Sequence, residues 1–208
     1  MKGVDLQIMD QDYKDHLLRL LYLRSFLYDP AAGFTLTSGK KSEFYVDAKK
    51  TVLSAEGLEL TGFAYFQLLK LEPIDGIGGL TLGADPIAYA AALVSTMNGK
   101  ALDAFVVRKE PKKHGTMSWI EGNLKPGAWV AIVDDVVTTG SSTILAIQRV
   151  REAGFNIRRV IAFLDREEGA AENIKKETNL TLESIFTKTD LFDLHKELTN
   201  NESPAKME

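Results

Sequence analysis

Apolar and polar positions divide the chain into two regimes. In residues 12–28, Leu17, Leu18, Leu20, Leu21 and Tyr22 stand among charged residues at helical spacing, which predicts an amphipathic helix. Gly33 to Ser42, followed by Glu43-Phe44-Tyr45-Val46-Asp47, predicts two short strands around a Gly-Lys turn. Residues 55–71 read as a second helix, with Leu58, Phe63, Phe66, Leu69 and Leu71 as its apolar positions. From Ile74 the rhythm becomes an alternation. A short strand at 74–78 precedes an Ala-rich helix at 85–97, for which Asp85-Pro86 is the start signal at the N-cap and first turn. A strand at 101–107 leads into a polar, basic loop at 109–123. A strand at 129–133 ends in Asp134-Asp135, and a helix at 142–153 is stopped by Gly154. A strand at 157–164 ends in Asp165-Arg166, followed by a helix at 170–178, a strand at 182–186 and a helix at 190–198.

Strands alternating with helices predict an α/β fold with a central, mostly parallel sheet flanked by helices. Open sheets of this kind take ligands at the carboxyl ends of their strands. Gly78-Gly79, Asp134-Asp135 and Asp165-Arg166 are all expected there. The first 50 residues break the alternation and are expected to form a small accessory lobe on a single domain of residues 1–199, with 200–208 as a frayed polar tail.

Composition narrows the chemistry. The chain has 208 residues, no cysteine and three histidines, His16, His114 and His195. Disulfides, thiolate metal sites and cysteine nucleophiles are excluded, and the histidines lack zinc-ligand spacing. His16 and His195 fall on predicted amphipathic helices and read as surface or packing residues; Trp119 and Trp129 read as packing residues. A formal net charge of -4 gives no reason to expect a general nucleic-acid or membrane surface. The N-terminus has no apolar stretch of the secretory kind, and no apolar run is long enough to span a bilayer. A cytoplasmic location is the expectation.

The informative stretch runs Val130-Ala131-Ile132-Val133-Asp134-Asp135-Val136-Val137-Thr138-Thr139-Gly140-Ser141-Ser142. A loop of small residues opening a helix exposes backbone N–H groups, and the helix dipole favours an anion there. Thr and Ser hydroxyls add donors, so a monophosphate would suit this nest. The acid pair can accept hydrogen bonds from a vicinal diol or hold a hard cation. Together they point to a sugar phosphate, its hydroxyls on Asp134 and Asp135 and its phosphate on residues 138–142. The bland alternative is a helix-capping turn followed by a plain loop. Other nucleotide motifs fail: Gly39-Lys40 and Gly99-Lys100 lack the Ser/Thr of a Walker loop, and a dinucleotide fingerprint from Gly76 meets Thr81 where glycine is required.

This stretch resembles the fingerprint of the type I phosphoribosyltransferases, an apolar strand, two acids and a T-x-G-[ST] loop. Further along, Arg108-Lys109-Glu110-Pro111-Lys112-Lys113-His114-Gly115 places four fixed positive charges and a histidine within seven residues. A solvated charged loop is the alternative; a departing pyrophosphate is the functional reason. The segment is similar to the R-K-x-x-K-x-H-G pattern of the orotate phosphoribosyltransferases. Phe34-Thr35-Leu36-Thr37-Ser38-Gly39-Lys40-Lys41-Ser42 and Asp165-Arg166-Glu167-Glu168-Gly169 resemble two more segments of that family.

The resemblance implies a type I phosphoribosyltransferase fold with an N-terminal hood. It implies that phosphoribosyl pyrophosphate and orotate give orotidine monophosphate and pyrophosphate, with magnesium as cofactor. Arg108, Lys109, Lys112 and His114 would hold the pyrophosphate portion; Lys109, Lys112, His114, Asp134 and Asp135 would be catalytic. Asp134, Asp135, Val136, Val137, Thr138, Thr139, Gly140, Ser141 and Ser142 would bind the ribose phosphate, with Thr138 serving orotate as well. Tyr45 and Val46 would line the base pocket, and Arg166 would pair with the orotate carboxylate, unless it forms a surface ion pair with Glu167 or Glu168. Magnesium would ride on the phosphoribosyl pyrophosphate, with Asp134 and Asp135 as possible protein ligands. The resemblance also implies a homodimer whose loop 109–123 closes across the subunit boundary, and a cis peptide for which residues 80–81 are the candidates. The chain departs from the best-known form of the pattern at Thr37, where that form has lysine, and at Thr81-Leu82, where it has Tyr-Lys; the backbone N–H groups of Leu80 to Gly83, or Lys40 and Lys41, are the candidate substitutes. Two alternatives remain: transfer to another base, which has little need of Arg166, and a non-catalytic regulator, for which the N-terminal 50 residues offer no clear helix-turn-helix.

Overall fold

The computed structural model describes residues 11–35, 41–111 and 119–201. The first helix, α1 (Gln11–Ser25), stops three residues before the pattern predicts, because Phe26-Leu27-Tyr28 form a strand, β1. Those residues pair antiparallel with β4 (Phe44–Val46), Phe26 opposite Val46 and Tyr28 opposite Phe44. Aromatic side chains gain more from cross-strand packing than from another helical turn. Between them, β2 (Phe34–Thr35) pairs with β3 (Lys41–Ser42). A four-residue helix that the pattern does not predict, α2 (Lys49–Val52), then leads to α3 (Ala55–Leu69). Ser54 caps α3 by accepting the Gly57 N–H at 3.1 Å.

The alternating region follows as β5 (Gly76–Leu80), α4 (Asp85–Met97), β6 (Asp103–Val107), β7 (Ile120–Glu121), β8 (Trp129–Val137), α5 (Ser141–Glu152), β9 (Asn156–Asp165), α6 (Ala170–Thr178), β10 (Leu182–Thr187) and α7 (Lys188–Asn201). Two details differ from the pattern. The α4 N-cap is Ala84, and Asp85 instead accepts the Thr81 hydroxyl at 2.7 Å. The end of the expected 109–123 loop is a strand, β7, antiparallel to β6.

The main sheet has the order β10-β9-β8-β5-β6-β7, parallel except for β7. Its two faces follow from alternation along each strand. Ala131, Val133, Ile161, Phe163 and Phe186 pack against α1, α3, α4 and α7, in a core continuous with Phe26, Phe44 and Val46 of the accessory lobe. Val130, Ile132 and Val160 pack on the opposite face with Ala146, Ile147 and Val150 of α5 and Ile174 of α6. No helix among the described residues is long and apolar enough to cross a membrane.

From β5 the chain moves outward to β6 and β7; from β8 it moves the other way to β9 and β10. The order therefore reverses between β5 and β8, and the crevice beyond their carboxyl ends is where such sheets bind ligands. The central layer must hold that crevice rigid. Phe163 is fully buried and meets Phe186 edge-on at 5.6 Å. Phe163→Ala is expected to cost about 3–5 kcal/mol, read as a lower urea midpoint at unchanged slope.

Candidate active site

Asp134 and Asp135 are not a terminus of β8, as the pattern suggests, but lie inside it; the strand continues to Val137. Continuing the alternation of Ile132 and Val133, Asp134 turns toward α5 and Asp135 toward the accessory lobe. Asp134 accepts the Thr143 hydroxyl at 2.9 Å. Asp135 forms an ion pair with Lys49 of α2. Their peptide neighbours complete the satisfaction: the Asp135 N–H donates to Asp134 and the Val136 N–H to Asp135. Both acids are about 95% buried, at 6% and 5% exposure.

Burial and the adjoining Asp135 charge push the Asp134 carboxyl up to about 7, against the lowering effect of the Thr143 hydroxyl and the Asp135 N–H. Burial opposes the charge on Lys49, but its hydrogen bond to Asp135 and the nearby Asp135, Asp47 and Asp134 charges outweigh it and hold the ammonium above its ordinary range. The β5–α4 loop presses against the pair from the other side of the crevice. A Cβ at Gly83 would stand 2.3 Å from an Asp135 oxygen, so only glycine lets this loop approach.

The candidate anion nest follows directly. Gly140 is the α5 N-cap at φ 80°, a left-handed conformation that glycine adopts freely, and as glycine it brings no side-chain cap to this helix end. The first-turn N–H groups of a helix lack intrahelical acceptors, so an anion is their natural partner. Thr139 and Ser141 share a hydroxyl contact of 2.9 Å, and Ser141 and Ser142 are exposed. Asn173 of α6 braces the loop through the Thr139 carbonyl at 2.9 Å. Val137 contributes backbone only: its side chain is in the core and its carbonyl accepts the Arg166 N–H at 3.0 Å.

That bond sets Arg166 beside the nest. Arg166 is 6% exposed, ion-paired to Glu168 at 2.8 Å, with its guanidinium 4.6 Å from the Phe44 ring centroid. The Glu168 contact weighed as an alternative therefore exists, but the arginine is buried rather than on the surface. Its Nε is buried without a hydrogen-bond partner among the described residues, an orphan donor such as an incoming carboxylate would satisfy. Tyr45 is exposed and its ring lies 6.1 Å from that of Phe34, while the Val46 side chain is buried.

On the far side of the crevice, Arg108 and Lys109 line an open cleft of about 590 Å³ together with Thr81, Tyr89, Val106, Glu110 and Glu121. Arg108 pairs with Glu121 at 3.0 Å, joining the two stems of the basic loop. Trp119 packs on the Arg149 guanidinium at 3.6 Å, which ties one stem to α5. Lys112 and His114 lie outside the described residues, as do Thr37 and Lys40. The cis peptide is Thr81–Leu82, one bond beyond the expected position.

A buried acid pair, a helix-borne anion nest and a buried arginine thus converge on one crevice. No family model matches the chain. Individual proteins do. The orotate phosphoribosyltransferase of Aquifex aeolicus is 48% identical over 178 residues, 86% of this chain and 97% of that protein. The orotate phosphoribosyltransferase of Mycobacterium tuberculosis H37Rv, crystallised with Fe(III) dicitrate, superposes with a TM-score of 0.75 at 35% identity, covering 86% of this chain and 98% of that one. The same enzyme in complex with 5-phospho-alpha-D-ribosyl 1-diphosphate gives 0.71 at 33% identity, covering 86% and 99%.

The chain belongs to the orotate phosphoribosyltransferase family.

It has the type I phosphoribosyltransferase fold of that family. Three contacts of this orotate phosphoribosyltransferase site were not found from the sequence. Thr143 had a signal, a hydroxyl just beyond the Thr-Thr-Gly-Ser-Ser run, on the helix that faces Asp134. Lys49 is 86 residues from Asp135 and Phe44 far from Arg166 in the chain, and no local spacing links either pair.

The Asp134 shift carries a pH consequence. The folded protein holds this proton more tightly than the unfolded chain, where aspartate titrates at about 4. The group favours folding most at low pH, and its contribution falls as pH rises from about 4 to about 7. Asp134→Asn cannot ionise. In ligand-free buffer with chelator it should melt above the parent at pH 8 and together with it at pH 4; parallel pH dependence of the two proteins would refute the assignment.

Proposed function

We propose that this chain transfers the phosphoribosyl group of 5-phosphoribosyl 1-pyrophosphate to orotate, releasing pyrophosphate and orotidine 5'-monophosphate. The observation that carries the reading is the convergence at the switch point of the Asp134-Asp135 pair, the Gly140 nest and Arg166. The ribose hydroxyls donate to the two acids, and the 5-phosphate takes the N–H and hydroxyl donors of residues 138–142. Arg166, held by Phe44 and Glu168, offers its orphan Nε–H to the orotate carboxylate. Tyr45 borders the base from the accessory lobe.

Orotate N1 attacks the anomeric carbon from the face opposite the pyrophosphate. The C1–O bond breaks, the bonding pair leaves with pyrophosphate, and the N1 proton passes to the departing pyrophosphate or to water. Positive charge developing on the ribose is favoured by the acids, and negative charge on the leaving group by Arg108 and Lys109, with Lys112 and His114 assigned to the same task. Magnesium is the proposed cofactor. The described residues hold no cluster of three or more acidic or histidine ligands. Two neighbouring carboxylates plus substrate oxygens are nevertheless a donor set that suits a hard cation. Asp134 and Asp135 would touch an ion carried mainly by the substrate, and the chemistry it supplies is neutralisation of the leaving group.

We also propose a homodimer. Tyr89, Leu93 and Met97 recur every four residues on α4 and are exposed, with Leu82 exposed just before the helix. Tyr89 borders the Arg108–Lys109 cleft, so a second subunit seated on this stripe would stand beside the basic loop. Substrates this highly charged do not cross membranes unaided, which supports a cytoplasmic site of action.

The test follows orotate absorbance in the presence of phosphoribosyl pyrophosphate and magnesium, with adenine, hypoxanthine and uracil in parallel. Orotate alone is expected to react. Asp135→Asn should lower kcat by about 10²–10³-fold. Arg166→Ala should raise the orotate KM by about 10–100-fold, the loss of a charge-assisted contact. Turnover of another base would remove the role of Arg166. For the dimer, Leu93→Asp should sediment as a monomer; an unchanged dimer would place the interface elsewhere.

A further inference from the structure

Lys49 is a charged side chain in the crevice with no part in the reaction as described above. Its backbone is fixed: the α2 residues Thr51 and Val52 are buried, the Thr51 hydroxyl meets that of Ser25 at 2.7 Å, and the Lys49 N–H donates to Asp47. Its side chain is not. It is 40% exposed and crosses from the accessory lobe to the carboxylate of Asp135. That ion pair occupies the acceptor a ribose hydroxyl would need.

Resting on the reading above, we infer that Lys49 is a substrate-contacting residue, which leaves Asp135 when the ribose diol arrives and turns to the pyrophosphate oxygens of phosphoribosyl pyrophosphate. Covalent connectivity supports this destination. The pyrophosphate is borne on C1, next to the C2 hydroxyl, so a diol seated on the acid pair brings the pyrophosphate within a few ångströms, about the reach of a lysine that changes rotamer. The crevice also needs a cation on this side. The loop that presses on Asp135 offers Thr81, Leu82 and Gly83, none of them charged. Arg108 and Lys109 line the open cleft that Thr81 of this loop also borders. The 5-phosphate has its own nest at α5 and the orotate carboxylate has Arg166, so the pyrophosphate is the substrate anion left for Lys49 to meet.

The competing role is a structural counter-ion for Asp135. The two roles differ in sign and in ligand. Removing a mere counter-ion frees Asp135 and leaves sugar phosphates bound as well as before, or better. Removing a pyrophosphate contact weakens phosphoribosyl pyrophosphate selectively.

The experiment measures calorimetric affinity for phosphoribosyl pyrophosphate and for ribose 5-phosphate, with magnesium, in the parent, Lys49→Met, Lys49→Arg and the neighbouring control Lys50→Met. Steady-state kinetics with orotate accompany it. Lys49→Met is expected to bind phosphoribosyl pyrophosphate about tenfold or more weakly. Its ribose 5-phosphate affinity should be unchanged or tighter, and its orotate KM should move far less than that for phosphoribosyl pyrophosphate. Lys49→Arg should recover most of the loss, and Lys50→Met should match the parent. Equal affinity for phosphoribosyl pyrophosphate in Lys49→Met, or equal loss of both sugar phosphates in a variant whose melting curve is intact, overturns the inference. Should Lys49→Met melt early, Lys49→Gln is judged by the same two ligands. A parent protein that does not consume orotate defeats the proposed function instead, and is told apart because that result precedes any substitution.

Discussion

Two adjacent carboxylates buried inside a central strand are the constraint around which this molecule is arranged. A buried charge without partners is costly, and two side by side raise the cost further. Strand alternation sends Asp134 and Asp135 to opposite faces, so each must be satisfied by a different layer. Thr143 of α5 answers on one face and Lys49 of α2 on the other. The glycine at position 83 lets the β5–α4 loop close against the pair. The acid pair is thus held by contacts from both sides of the sheet.

The remaining elements of the crevice are tied to the same strand. Where β8 ends, Gly140 turns the chain into α5, and α6 braces that turn through Asn173. The Val137 carbonyl holds the Arg166 backbone, and the Arg166 guanidinium rests on Phe44 of the accessory lobe. Phe44 in turn belongs to an aromatic cluster: it meets Phe192 of α7 edge-on at 5.4 Å, and Tyr22 bonds His195 at 2.8 Å. The lobe is therefore not an appendage. Through Phe44 and Lys49 it delivers one residue to the arginine and one to the acid pair, and its packing on α1 and α7 determines how accurately it does so.

Local order in the chain determined a good deal. The α/β alternation and the helix at 85–97 were legible because hydrophobic periodicity and start signals are properties of neighbouring residues. The acid pair and the glycine turn into α5 were legible for the same reason: Asp134 to Ser142 is one uninterrupted segment. Arg166 was legible as a candidate, but its burial was not.

Tertiary structure decided what depends on residues distant in the chain. Phe26-Leu27-Tyr28 became a strand because Phe44 to Val46 lay alongside to pair with it, although the helical pattern ran on. Lys49 reached Asp135 across 86 positions, and α2 was too short for any periodicity to announce. The unequal environments of Asp134 and Asp135 could not be read from two identical letters. Sequence specifies which groups are available; the proton affinity of each depends on the burial and the neighbouring charges that only the folded chain brings together.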